Sequence, residues 1–126
     1  MRFIERKIIF PDSHFVDFYL EQSLKVQEKM EFVLAIIRKV ERVSMKFLSP
    51  IGGTDGVYEV KVEYNSNIFR IFCCFDEGNV IVLFHGFQKK RQKTPLKEIQ
   101  KAIKLKQEYF ELKKIQENEK RSNKTR

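Results

Sequence analysis

The chain has 126 residues, of which 42% are hydrophobic and twelve are Phe, and its formal net charge is +8. This apolar content supports one packed core and argues against a disordered chain, while the length is short for two domains. No apolar run approaches the ~20 residues of a membrane helix, and MRFIERKIIF lacks the small-residue cleavage site of a signal peptide, so the expectation is a cytoplasmic protein with no membrane association.

In chain order, residues 2–10 read as a short first strand ended by Pro11-Asp12. Asp12 or Ser13 can cap a first helix whose apolar side includes Phe15, Phe18 and Tyr19. Val26, Met30, Val33, Ile37 and Val40 recur at three- and four-residue spacing, with Leu34 and Phe47 broadening the stripe. This predicts a second helix, antiparallel to the first and ending before Ser49-Pro50. PIGGTDG then reads as a flexible loop, because it lacks the Lys-Ser/Thr ending of a phosphate-binding loop.

In VYEVKVEY, the apolar Tyr58, Val60, Val62 and Tyr64 alternate with Glu59, Lys61 and Glu63, which is the pattern of a half-buried strand. Asn65-Ser66-Asn67 supplies a turn, and IFRIFCCF is a nearly continuous apolar strand interrupted only by Arg70. Asp76 to Asn79 makes a second turn before the strand VIVLFHGF. After Pro95 an amphipathic helix carries Ile99, Ala102, Ile103 and Phe110 on one side and lysines opposite. The reading is α+β: an N-terminal strand and two antiparallel helices packed on one face of a small, mainly antiparallel sheet, plus a C-terminal helix. A single domain over 1–115 and a basic, disordered tail over 116–126 are expected.

Charge is unevenly placed. Residues 88–126 hold 14 Lys/Arg against 5 Asp/Glu, whereas residues 1–87 hold 11 against 12. A polyanionic partner and a solvated tail explain this asymmetry equally well. The adjacent Cys73 and Cys74 would point to opposite faces of a strand and have no metal-ligand spacing, so two small buried residues are expected. His14 and His85 are separated and lack a carboxylate cluster, which leaves no metal site and no cofactor to propose.

Register follows from the pattern, because a one-residue slip would carry charges into the core. A turn at Asn65-Ser66 sets Val60 opposite Ile71, Val62 opposite Phe69, Tyr58 opposite Cys73, and Lys61 opposite Arg70. A second turn over Asp76 to Asn79 would set Arg70 opposite His85, giving one row of Lys61, Arg70 and His85 on the face away from the first two helices. Like charges side by side destabilise a sheet. Either the row is there to bind an anion, or Glu59 and Glu63 neutralise it diagonally. Arg70 interrupting an apolar strand favours the first, since an unpaired charge there is costly. A guanidinium on a rigid strand suits phosphate, and Lys89, Lys90 and Arg91 would lie at the rim of the same face.

The run from Val57 to Ala102, through YEVKV, FRIFCCF, LFHGFQKK and KTPLKEIQKA, resembles the RelE/ParE toxin superfamily and is most similar to its HigB-like, phage-derived branch. The resemblance implies a RelE-like fold and a toxin of a type II toxin–antitoxin pair, an endoribonuclease that cuts mRNA on the ribosome. It implies attack of the RNA's own 2′-hydroxyl on the adjacent phosphate, without a metal. On this resemblance Arg70 would stabilise the transition-state phosphate and Lys61 would contact phosphate or move a proton. Lys89 or Lys90 would hold the backbone or leaving side, and Gln88, Arg91 and Lys93 would extend RNA binding. The family pattern has a second lysine where Glu59 stands, so Glu59 is either a general base or a structural salt bridge, and His85 is a candidate acid or base. A cognate antitoxin, a helix-turn-helix protein, is expected as partner beside mRNA and ribosome. Two other functions remain open: a ParE-like inhibitor of DNA gyrase, and a non-catalytic nucleic-acid-binding module.

Overall fold

The computed structural model describes residues 2–90 and 93–124. Its elements are β1 (Lys7–Ile9), α1 (His14–Leu20), α2 (Leu24–Lys39), β2 (Leu48–Pro50), β3 (Tyr58–Tyr64), β4 (Asn67–Asp76), β5 (Val80–Lys89) and α3 (Leu96–Lys124). The five strands form one sheet in the order β1-β5-β4-β3-β2, antiparallel except for the β1–β5 pair. The class is α+β, as the sequence pattern implies.

Spacing explains α2. Val26, Met30, Val33 and Ile37 are its buried residues, and Ser23 caps its start by accepting from the Val26 amide at 3.3 Å. The helix stops at Lys39, earlier than its apolar stripe suggests. Val40 has extended backbone and bridges Phe3. Arg6 is the physical reason. Its guanidinium donates to the carbonyls of Ile37, Val40 and Glu41 at 2.6, 2.6 and 2.7 Å, filling acceptors that a helix end leaves open. Phe47 is therefore not a helical residue, and the chain after it forms β2, which the Ser49-Pro50 stop signal concealed. Pro50 is tolerated because β2 is the sheet's edge. The first strand is likewise shorter than expected, since residues 2–6 serve α2.

Alternation sorts the sheet's two faces. Val60, Val62, Phe69, Ile71, Cys73, Ile81 and Leu83 pack with α1 and α2 in the main core. The opposite face meets α3, where Phe72 packs with Ala102, Ile99 and Ile103, and Cys74, Val82 and Phe84 pack with Leu105, Tyr109 and Phe110. Cys73 and Cys74 thus lie on opposite faces as free thiols. Burial pushes Cys74 up to about 12 and raises Cys73 as well, so neither is a ready nucleophile.

The PIGGTDG segment is tied down rather than loose: Thr54 is buried, donates to the Ile51 carbonyl at 2.6 Å and accepts from the Val57 amide. α3 continues to Lys124, so the stretch from Gln116 that the sequence suggests is disordered is helical. Its Gln, Glu, Lys and Arg residues are good helix formers and extend the helix without adding to the core. No helix among the described residues is long and apolar enough to cross a membrane.

Candidate functional site

Asn65 and Ser66 both have positive φ, 48° and 66°, the geometry of a two-residue hairpin whose twist matches its strands. This turn fixes the β3–β4 register, with Val60 opposite Ile71, Val62 opposite Phe69, Tyr58 opposite Cys73 and Lys61 opposite Arg70. All four pairs follow the sequence expectation.

The next hairpin departs from it. Ile71 faces Gly86 while Cys73 faces Leu83, so β5 spends one residue more than β4 over this step. Phe84 and His85 together oppose Phe72, a bulge. Arg70 consequently faces Phe87, and the row Lys61–Arg70–His85 does not form. His85 instead stacks near Phe72, with ring centroids 4.9 Å apart, and its Nε2 lies 3.0 Å from Oε2 of Glu98 on α3. Burial lowers the pKa of His85, Glu98 opposes this, and the charges of Lys101 and His14 reinforce it. Its Nδ1 is buried without a partner among the described residues.

Gly86 has a packing role. A Cβ placed there would lie 2.5 Å from the ring of Phe18, so its absence lets α1 approach the sheet.

The two facing cations are both neutralised by Glu59 and Glu63, the alternative that the sequence left open: Arg70 diagonally across the strands, Lys61 along its own strand. Arg70 Nη1 donates to Glu59 Oε1 at 2.6 Å, and Lys61 Nζ lies 2.7 Å from Glu63 Oε1. The first pair is nearly enclosed, with side chains 11% and 14% exposed. It is also incomplete. Arg70 Nε and Glu59 Oε2 are buried with no hydrogen-bond partner among the described residues.

Lys89 belongs to the same neighbourhood. Burial lowers its ammonium below the usual lysine value, the charges of Arg70 and Lys61 add to that, and Glu59 works against it. Lys90 and Lys93 are exposed just beyond, before α3 begins, and Arg91 lies outside the described residues. Gln88 does not join the group. It faces Phe69 on the α1–α2 side and bonds Asn67 Oδ1 at 3.3 Å.

One cluster had no sequence signal. Asp76, at the end of β4, accepts from Tyr109 at 2.7 Å and from Lys113 at 2.9 and 3.0 Å, anchoring α3 to the sheet. Burial alone would raise its carboxyl, but these bonds and the Glu77 amide hold it below the ordinary value.

A family model described as "Phage derived protein Gp49-like (DUF891)" matches residues 17–107. The chain belongs to that family. Gp49-like proteins are a RelE/HigB-like toxin family, and membership implies an antitoxin partner. The span that matches the Gp49-like model begins within α1, includes all of β3, β4 and β5, and ends within α3, so Glu59, Lys61, Arg70, His85 and Lys89 all lie inside it. No curated protein matches the chain.

Proposed function

We propose that this Gp49-like protein is the toxin of a toxin–antitoxin pair and acts as an endoribonuclease on mRNA at the ribosome. The observation that carries this reading is the charge cluster on β3, β4 and β5: the Arg70 guanidinium and the Glu59 carboxylate held together at 2.6 Å, with Lys61 opposite Arg70 and Lys89 close enough to feel all three. A phosphodiester beside a ribose 2′-hydroxyl carries the complement of the guanidinium and of the carboxylate. Its non-bridging oxygen accepts from Arg70 and its hydroxyl donates to Glu59.

Chemistry follows from that fit. Glu59 takes the 2′-hydroxyl proton as the oxygen attacks phosphorus, and the 5′-oxygen leaves with a proton from Lys89, whose lowered ammonium is a better acid than an ordinary lysine. The products are a 2′,3′-cyclic phosphate and a 5′-hydroxyl. Arg70 and Lys61 stabilise the charge that grows on the phosphate oxygens, and fixed charges aimed at that point do more for the rate than any other device open to such a site. Lys90, Arg91 and Lys93 hold the strand beyond the scissile bond. Gln88 on the other face takes no part, and His85 serves to seat α3.

Induction of the chain in cells with mapping of transcript 5′ ends tests this. Codon-phased cuts in translated regions that disappear in Arg70→Lys and Glu59→Gln variants are expected. Growth arrest with intact transcripts and trapped gyrase would replace the reading with gyrase inhibition.

A further inference from the structure

The neighbourhood of Arg70 reaches Lys61, and from Lys61 the surface continues into a recess. This depression of about 270 Å³ is lined by Lys29 of α2, Lys46 of the turn before β2, Lys61 and Glu63 of β3, Tyr64, and the Asn65-Ser66 turn. Three lysines therefore line a recess that holds one carboxylate. Glu63 is held by Lys61, and among the described residues neither Lys29 nor Lys46 has a carboxylate within ion-pairing distance.

Their positions are set by structure. Lys46 sits in a turn closed by Phe47 N to Ser44 O at 2.9 Å and by its own amide to Ser44 Oγ at 3.2 Å, and its Nζ lies 5.6 Å from the Phe47 ring centre. Lys29 projects from a helix whose next residue, Met30, is fully buried. The field of the recess is visible on Glu63, whose pKa is lowered first by Lys61 and further by Lys46 and Arg70.

We infer that this recess binds a backbone phosphate of single-stranded RNA next to the scissile one, with Lys29 and Lys46 as the contacts and Lys61 as the link between the two phosphate positions. The inference rests on the function proposed above and extends it to where the substrate strand runs: off Arg70, across β3, toward α2. The recess sets Tyr64, an aromatic surface, beside its lysines, the combination that single-stranded nucleic acid favours.

The test uses the full chain and a fluorescent single-stranded RNA with every 2′-hydroxyl methylated, which binds without being cut. Anisotropy titrations over a range of salt give the slope of log K against log salt. Each phosphate contact on a single strand contributes ~0.7 to that slope, so Lys29→Gln/Lys46→Gln should lower its magnitude by about 0.7–1.4. The glutamines keep much of the side-chain stem and so preserve packing, and Lys46→Glu alone, on an exposed residue, should weaken binding in the same direction. In cleavage of unmodified mRNA on ribosomes the double variant should raise KM and leave kcat within about threefold. An unchanged slope and KM overturn the inference, as does a wild-type chain that shows no salt-dependent binding. Competition by an acidic peptide with no RNA binding assigns the recess to a protein partner and overturns it too. A wild-type chain that binds, loses slope in the variant and yet never cuts mRNA on translating ribosomes leaves the recess standing and removes the catalytic reading instead.

Discussion

Replacing Arg70 with Ala separates two roles that the residue combines. The Arg70–Glu59 pair is nearly enclosed, at 11% and 14% side-chain exposure, and Glu59 already has one oxygen without a partner. Removing the guanidinium strands a buried carboxylate, which costs ~3–5 kcal/mol in comparable pairs. For a chain of this size that lowers Tm by roughly 10–20 °C. Taking both charges away in Arg70→Gln/Glu59→Gln removes the stranded charge, so the double variant should recover more than half of the loss. Cleavage should not recover. Loss of a preorganised donor at a developing oxyanion costs ~10²–10³ in kcat, and the double variant lacks the base as well. Differential scanning calorimetry and timed digests of ribosome-bound mRNA on the same preparations give both numbers. Were Arg70→Ala to melt within a degree or two of wild type, the pair would not be buried as described. A stable double variant that still cuts RNA at the wild-type rate would falsify the site.

Other expectations concern what holds the face in place. Gly86→Ala should destabilise by ~1–3 kcal/mol in urea unfolding, because its Cβ meets the Phe18 ring at 2.5 Å, and Phe18→Leu in the same chain should return part of that. Arg6→Ala should cost ~2–3 kcal/mol through three lost bonds to carbonyls in and just past the last turn of α2, and Arg6→Lys should not restore it because an ammonium lacks the fork; equal stability of all three chains would contradict the capping role. The lowered Asp76 carboxyl contributes stability that is complete above the ordinary aspartate value of ~3.9 and is lost as pH falls through its folded-state value. The gap between wild type and Asp76→Asn should therefore be steady from pH 5 to 7 and shrink toward pH 3; a gap independent of pH would show that Asp76 is not ionised in the folded chain.

The first hairpin was legible because two signals agreed. Strict alternation in VYEVKVEY left one register that keeps charges out of the core, and Asn65-Ser66 is turn chemistry for the loop that register needs. The second hairpin offered neither. VIVLFHGF is apolar on both faces, since α3 covers one and α1 the other, so an extra residue at Phe84-His85 breaks no visible pattern. Glu59 and Glu63 stood out in the sequence as neutralising partners, but nothing there chose between neutralisation and a free row of cations. That choice depends on how far a side chain reaches diagonally across two strands. Asp76 with Tyr109 and Lys113, and Lys29 with Lys46 and Lys61, are separated along the chain and meet only through the packing of helices on the sheet. Arg6 was hidden for the same reason: nothing local marks a residue as the cap of a helix that ends 33 positions later.

The parallel pairing of β1 with β5 has a consequence for synthesis. Lys7 pairs with Val80 and Ile9 with Val82, so the first strand made has its partner 73 residues further on. Loop closure of that length is slow to be rewarded, and contacts this non-local form late. A nascent chain emerging from the ribosome therefore exposes β1 and the apolar face of α2 with no closed sheet until β5 has left the exit tunnel. By then Glu59, Arg70 and Lys89 are all out, since Lys89 is the last residue of β5. Truncated chains that stop short of Val80 should be sticky but harmless, and the unit that gains a closed sheet is the same one that gains the site.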